Sequence, residues 1–382
     1  MKRCRLIIPG PVELTPEVLS EMARPPMGHR TPDFEEILTQ CWGDLKHVYQ
    51  TKNDVVIITG SGTSGMDAAV ASTIQKGDEF VCIGGGKFGE RFSLIVKGYR
   101  GIVKEVPVEW GKTFDIDEVE RVISESSAKA ITLTHNETST GVLHDAEAIG
   151  KIAKSYDCLF ILDAITSLGG DYVKTDEWDV DICIGGSQKC LAAPPGLSTV
   201  AVSEKAWKVI EGNDTGNFYL NLASYRKSLK KNTTPFTPSV NLIYGLSKAL
   251  KEIREEGLDN RVLRHQKLAM ATREAAKSMN LELFAIKNAY SSTVTSIKIP
   301  DGMTDNDVRG EMKRRFNILM AGGQEHLKGK IFRIGHMGNI GYLELMSTLS
   351  ALELVLKKGG HDIELGNGVK AAQKVFFENS HK

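Results

Sequence analysis

The stretch Ser187-Gln188-Lys189 follows the apolar run Ile182-Cys183-Ile184 and precedes Cys190-Leu191-Ala192-Ala193-Pro194-Pro195-Gly196. A lysine with small neighbours therefore stands where a strand gives way to a tight loop. Most lysines are solvated surface charges, and taken alone Lys189 reads as one more loop lysine. A lysine held among small and apolar residues is different: keeping it protonated is costly, and a lowered pKa makes its amine a nucleophile toward carbonyls.

Other chemistry-bearing residues follow strand-like runs in the same manner. Gly60-Ser61-Gly62-Thr63-Ser64-Gly65 fits G-x-G-x-x-G between a strand and a helix, where backbone N–H groups and hydroxyls make a site for phosphate. A dinucleotide fold needs an acidic residue at the end of the next strand, roughly 20 residues on. That strand ends here in Cys82-Ile83-Gly84-Gly85, and a long segment precedes the first strand, so the pattern argues against a dinucleotide. Asp163 closes the run Leu159-Phe160-Ile161-Leu162, where a carboxylate points into the crevice in which α/β proteins bind ligands. Buried there it needs a cationic or proton-donating partner. Helix capping is the alternative, but Ala164-Ile165-Thr166 is less polar than an ordinary first turn.

The polar cluster His135-Asn136-Glu137-Thr138-Ser139-Thr140-Gly141 also follows a strand, and Gly86-Lys87-Phe88-Gly89 sets an aromatic between glycines, as a stacking residue or a core one. His29 and Arg30 read as an ordinary polar loop. A phosphate cradle, a stacking aromatic, a strand-end aspartate and a lysine on one sheet suit a planar phosphorylated aldehyde whose ring nitrogen must stay protonated. Pyridoxal phosphate is such a molecule.

The chain that must position these groups has 382 residues, 41% hydrophobic and 25% charged, enough for one large domain and a smaller one. Lys+Arg and Asp+Glu both number 48, so no global field favours nucleic acid or an anionic membrane. Pro9 ends the first apolar stretch too early for a signal peptide, and no run approaches membrane-spanning length. The six cysteines show no C-x-x-C spacing. These features fit a cytoplasmic protein with no metal site.

From Asp54 onward buried strands alternate with amphipathic helices: Val55 to Ile58, a helix from about Met66, Glu79 to Ile83, Ala130 to Thr134, Cys158 to Leu162, Asp181 to Gly185, Ser198 to Val202. The pattern predicts an α/β fold with a mainly parallel central sheet flanked by helices. Pro9-Gly10-Pro11 and Thr15-Pro16 mark an N-terminal arm with a short capped helix. After Ser239 two long helices lead into a region of mixed style, which predicts a large domain over 1–255, including the arm, and a smaller α+β domain over 256–382.

With these residues in place the sequence resembles the class V aminotransferases, and within them the serine–pyruvate / alanine–glyoxylate group. The resemblance runs from Pro9-Gly10-Pro11 to the strand of Arg333. Its most specific pieces are Gly60 to Thr63, Thr134 to Val142, Asp163 with Ser167-Leu168-Gly169-Gly170, and Gly186 to Lys189 followed by Ala193 to Gly196. It implies a fold-type-I pyridoxal-phosphate transferase in which Lys189 forms the Schiff base and moves the substrate proton, while Asp163 pairs with the ring nitrogen. Phe88 and Ile165 would lie against the two ring faces, and Thr138 near the ring's phenolic oxygen. Ser61, Gly62, Thr63 and Gln188 would hold the phosphate, with Thr237 supplied by the second subunit of a homodimer. Relatives often carry tryptophan where Phe88 stands and tyrosine where Thr234 stands. Arg333 would bind the substrate carboxylate.

The activity so implied is transfer of an amino group from alanine or serine to glyoxylate or pyruvate by a ping-pong route. Aspartate is an alternative donor if Arg30 or Lys328 reaches the pocket. A cysteine desulfurase needs a mobile-loop cysteine, and none follows Cys190. A nicotinamide-dependent oxidoreductase on Gly60–Gly65 is the reading from another class, and a non-catalytic cofactor binder would need neither Asp163 nor Arg333.

Overall fold

The computed structural model describes residues 4–378. Its larger sheet runs in the order Asp54–Thr59, Leu197–Val202, Ile182–Gly186, Leu159–Asp163, Ala130–Thr134, Glu79–Ile83 and Ile102–Val106. From Ile182–Gly186 to Ile102–Val106 all neighbours are parallel, whereas Leu197–Val202 runs antiparallel to both of its neighbours. The four central strands are buried at every residue. That is what continuous apolar runs require when helices cover both faces. Alternate side chains feed two cores. Val55 and Ile57 pack with Leu38, Leu45, Ile243 and Leu250 on one face, and Ile58 packs with Met66 and Val70 on the other.

Asp54–Thr59 neighbours Leu197–Val202 and not Glu79–Ile83. The strand before Gly60–Gly65 and the strand after it are therefore not paired, so the glycine-rich stretch does not open the parallel neighbouring-strand unit that a dinucleotide site is built on. The helix at the glycine-rich stretch begins at Gly62, one turn earlier than the apolar pattern suggests. Close packing explains the difference: a Cβ on Gly65 would meet Ser198 Oγ at 2.3 Å, so the first turn lies flat on the sheet.

A second sheet is ordered Arg5–Ile7, Ile318–Gly322, Ile331–Gly335 and Val294–Lys298. Its core joins Phe332 and Ile334 to Leu268, Leu349, Leu352 and Val375 of the helices that cover it. Here one expectation needs correcting. The arm was assigned with the large unit, yet its strand Arg5–Ile7 pairs in parallel with Ile318–Gly322, and Ile7 is buried in the smaller core. Three apolar residues carry no signal for which sheet edge they join, because that choice depends on an edge formed some 300 residues later. The arm then crosses to the larger unit at Pro9-Gly10-Pro11. The six cysteines are free, and all but Cys4 are buried. Among the described residues no group of His, Cys, Asp or Glu is placed to hold a metal, and no helix is long and apolar enough to cross a membrane.

Candidate active site

The carboxyl ends of the parallel strands converge on a cavity of about 110 Å³. Ser61, Gly62, Thr63, Phe88, Asp163, Ile165, Gln188 and Lys189, all expected from the sequence, line it. Asn136 of the polar cluster lines it as well, together with Arg91, Thr134 and Thr166, which were given no role in the site. Three other expected residues, Thr138, Thr237 and Arg333, lie outside this lining.

Lys189 sits in a loop pinned from several sides. Ser187 Oγ donates to Pro194 O at 2.6 Å, Arg261 Nη2 donates to Cys190 O at 2.7 Å, and Val12 N donates to Gln188 O at 3.1 Å. The lysine ammonium donates to Pro9 O. The arm lies so close that a Cβ on Gly10, at φ +79°, would meet Lys189 Cδ at 2.4 Å, and only glycine fits there. Burial lowers the Lys189 pKa to about 8, with Arg333 and Arg91 adding to the effect and Asp163 opposing it. A substantial share of the amine is therefore neutral near pH 8, as a nucleophile toward a carbonyl must be.

Asp163 ends its strand with Oδ1 accepting from Ile165 N at 2.9 Å and Oδ2 from Thr134 Oγ1 at 3.4 Å. The bond to Ile165 closes a turn and caps no helix, since none follows Asp163 before the next strand, so the helix-capping alternative does not apply. Burial pushes its pKa up to about 7. It forms no ion pair among the described residues, and a buried carboxylate with two donors retains acceptor capacity for a protonated ring nitrogen.

Ser61 is the N-cap of Gly62–Thr73, and its hydroxyl makes no capping bond. The first N–H groups of that helix and this hydroxyl are thus available to an anion. Gly62 is tight against the opposite wall, since a Cβ would meet Ile165 Cδ1 at 2.6 Å. Gln188 Oε1 is buried with no partner among the described residues, and the group of this side chain that would donate to a phosphate is its amide NH2. A flat slot with Ile165 on one side, an anion site at one end and a carboxylate at another fits pyridoxal phosphate: Ser61, Gly62, Thr63 and Gln188 would hold its phosphate and Asp163 its ring nitrogen.

Glu137 organises the far wall. Its carboxylate accepts from Phe88 N at 2.9 Å, Gly89 N at 3.0 Å, Ser139 N at 3.0 Å and Ser139 Oγ at 2.6 Å. Burial raises its pKa and those four donors oppose the rise. The polar cluster therefore fixes the loop that presents Phe88. Thr138 contributes its carbonyl, which accepts from Arg333 Nη1 at 2.7 Å.

Arg333 lies on the inner strand Ile331–Gly335, flanked on both sides, and not on an edge. Its Nη2 and Nε donate to Gly322 O at 2.7 and 2.9 Å. Burial lowers its pKa to about 10, so it stays charged at neutral pH. It has no carboxylate partner among the described residues. Thr237 is exposed, its hydroxyl 3.4 Å from His29 Nε2, away from the cavity of its own chain. Thr234 is buried, and its hydroxyl donates to Phe236 O. Arg30 donates to Thr234 O at 2.8 Å, and neither Arg30 nor Lys328 lines the cavity.

Of the residues that were missed, Arg91 had a readable signal: it stands three positions after Phe88, the spacing that brings two side chains to one helix face. Asn136 and Thr166 are bound to each other across two loops, Thr166 Oγ1 donating to Asn136 O at 2.7 Å, which no sequence spacing reveals.

The family model of the class-V aminotransferases matches residues 17–336. An uncharacterized aminotransferase of Methanocaldococcus jannaschii is 49% identical, covering 98% of this chain and 97% of that protein. A serine–glyoxylate aminotransferase of Arabidopsis thaliana is 32% identical over 97% of this chain and 94% of its own length. Among solved structures, the ureidoglycine–glyoxylate aminotransferase of Bacillus subtilis superposes with a TM-score of 0.95 at 33% identity, covering 99% of both chains. Two cyanobacterial relatives, 41% and 39% identical, carry the name of soluble hydrogenase subunits. A site of this chemistry, on this fold and matched along nearly the whole sequence, has one reading: the chain belongs to the class-V aminotransferases and is a pyridoxal-phosphate-dependent transaminase.

Proposed function

We propose that the enzyme moves the amino group of a small amino acid, alanine or serine, to glyoxylate or pyruvate by a ping-pong route, as a homodimer. The observation that carries the small-substrate reading is the arm. Lys189 Nζ donates to Pro9 O and a Cβ on Gly10 would meet Lys189 Cδ at 2.4 Å, so the arm walls one side of the amine, and a short donor side chain suits that wall. The Arabidopsis and Bacillus relatives, both named as glyoxylate transaminases, support the acceptor.

When bound, pyridoxal phosphate supplies the electron sink for the charge left as the substrate Cα–H proton departs. Lys189 would hold the cofactor's aldehyde carbon and, as a free amine, would carry the proton away from the substrate Cα, a task suited to a pKa of about 8. Asp163 would hold a proton at the cofactor's ring nitrogen. Arg333 exchanges neutral carbonyl partners for the α-carboxylate, a charge-assisted and bidentate pairing. Thr237 is exposed as a residue offered to a partner copy must be, beside Phe218, Tyr219 and Phe236 on the same surface.

A donor-by-acceptor panel tests this. Alanine or serine with glyoxylate should exceed L-aspartate with glyoxylate by more than tenfold in kcat/KM, and donor alone should release one equivalent of 2-oxo acid per bound cofactor. Preference for L-aspartate would sink the small-donor reading, because neither Arg30 nor Lys328 of the same chain lines the pocket.

A further inference from the structure

The phosphate set expected from the sequence, Ser61, Gly62, Thr63, Gln188 and a partner's threonine, contains no cation. A phosphate monoester carries about −1.5 to −2 charges at neutral pH, and a helix N-terminus offsets only about half a unit. A buried dianion with that deficit calls for a positive side chain. The cavity lining holds two, Lys189 and Arg91. Lys189 is committed to the carbonyl carbon.

We propose that Arg91 is the phosphate-neutralising residue of this enzyme and, through Phe88, links the phosphate site to the ring-stacking site. Its Nη1 donates to Thr63 Oγ1 at 3.0 Å, so the guanidinium lies at the edge of the anion cradle. The same guanidinium lies over the Phe88 ring at 4.7 Å from its centroid, a cation–π distance. It forms no ion pair with a carboxylate among the described residues. Its place in the chain is also unfavourable for the helix it belongs to. Arg91 is in the first turn of Gly89–Gly98, where the helix dipole disfavours a cation and where the neighbouring Glu90 is the residue that suits it. A charge set against its helix, left without a carboxylate and turned into a cavity points to an anion that arrives from outside. The field of Arg91 reaches the other groups of the site, lowering the pKa of both Lys189 and Asp163. Arginine also suits the task because its planar fork matches phosphate bidentately, which lysine cannot do.

The inference rests on the pyridoxal-phosphate assignment and is tested on the cofactor-free protein, without reading activity. Pyridoxal phosphate and pyridoxal, which lacks the phosphate, are titrated separately into wild type, Arg91→Gln and Arg91→Lys, following absorbance of the bound aldehyde. For Arg91→Gln the Kd of pyridoxal phosphate should rise about 10- to 100-fold while that of pyridoxal changes less than about twofold, with Arg91→Lys in between. Inorganic phosphate should compete with pyridoxal phosphate for wild type and lose most of that competition in Arg91→Gln. Equal weakening of both aldehydes would make Arg91 a packing support for Phe88 and overturn the proposal, as would no change in either. Wild-type protein that takes up neither aldehyde would overturn the cofactor assignment and this inference together.

Discussion

The two ends of the active site are built differently. At the cofactor end Asp163 closes a fully buried strand and Lys189 stands in the loop that follows the buried strand Ile182–Gly186, a loop fixed by buried groups such as Ser187 Oγ on Pro194 O at 2.6 Å. At the substrate end Arg333 comes from the second sheet and is oriented by Gly322 O, on the segment that continues through Glu325 and His326. That segment meets the larger unit through an exposed ion pair, Lys87 with Glu325, and a ring contact of Trp110 with His326 at 4.6 Å. The first end is held by backbone and burial. At the second, Arg333 itself is buried against backbone carbonyls, but the segment that carries Gly322 meets the larger unit through side chains that water can compete for. The chemistry should therefore be brittle at one end and adjustable at the other.

The largest effect is expected at Asp163. Asp163→Asn removes the charge that keeps the ring nitrogen protonated and should cut kcat by about 10²- to 10³-fold with the cofactor still bound. A tenfold loss or less, measured on cofactor-saturated enzyme, would break the comparison at its rigid end. Next comes Arg333→Gln, which should raise donor KM about 10- to 100-fold while the Kd of pyridoxal phosphate stays within twofold. Arg333→Lys should restore little, since a point charge does not reproduce the fork. If cofactor affinity falls in step with KM, the two ends are not separable.

Acidity offers a third probe. The nucleophile is the neutral amine, and Lys189 titrates near 8 instead of 10.5 because it is buried. The rate at which the cofactor-free protein captures pyridoxal phosphate should rise about tenfold from pH 7 and level off above pH 9. A rate still climbing steeply toward pH 10.5 would mean a solvated lysine. The smallest effect belongs to the exposed contact: Lys87→Met or Glu325→Gln should change KM by less than about fivefold, an effect that fades with added salt.

The same contrast explains what the sequence could disclose. The strand ends carrying Gly60–Gly65, Asp163 and Gln188-Lys189 are local patterns, an apolar run followed by small or polar residues, and they can be read in order. The antiparallel turn of Leu197–Val202, the seat of Arg5–Ile7 and the approach of Gly10 to Lys189 depend on contacts between distant segments, which no local period encodes. Strand order is invisible in a single sequence, so nothing local marks Arg333 as lying on an inner strand. The family resemblance assigned it a role that periodicity alone did not. Thr138 shows the converse, since the structure uses its carbonyl, a group every residue has, to orient Arg333.

The most direct test of the account is to fix the aldehyde where it bonds. Enzyme saturated with pyridoxal phosphate is reduced with borohydride, digested, and mapped by mass spectrometry, alongside Lys189→Ala. One pyridoxyl group per chain is expected, on Lys189, with no specific label in the variant. A stoichiometric label on any other lysine, or an undiminished label in Lys189→Ala, would contradict it.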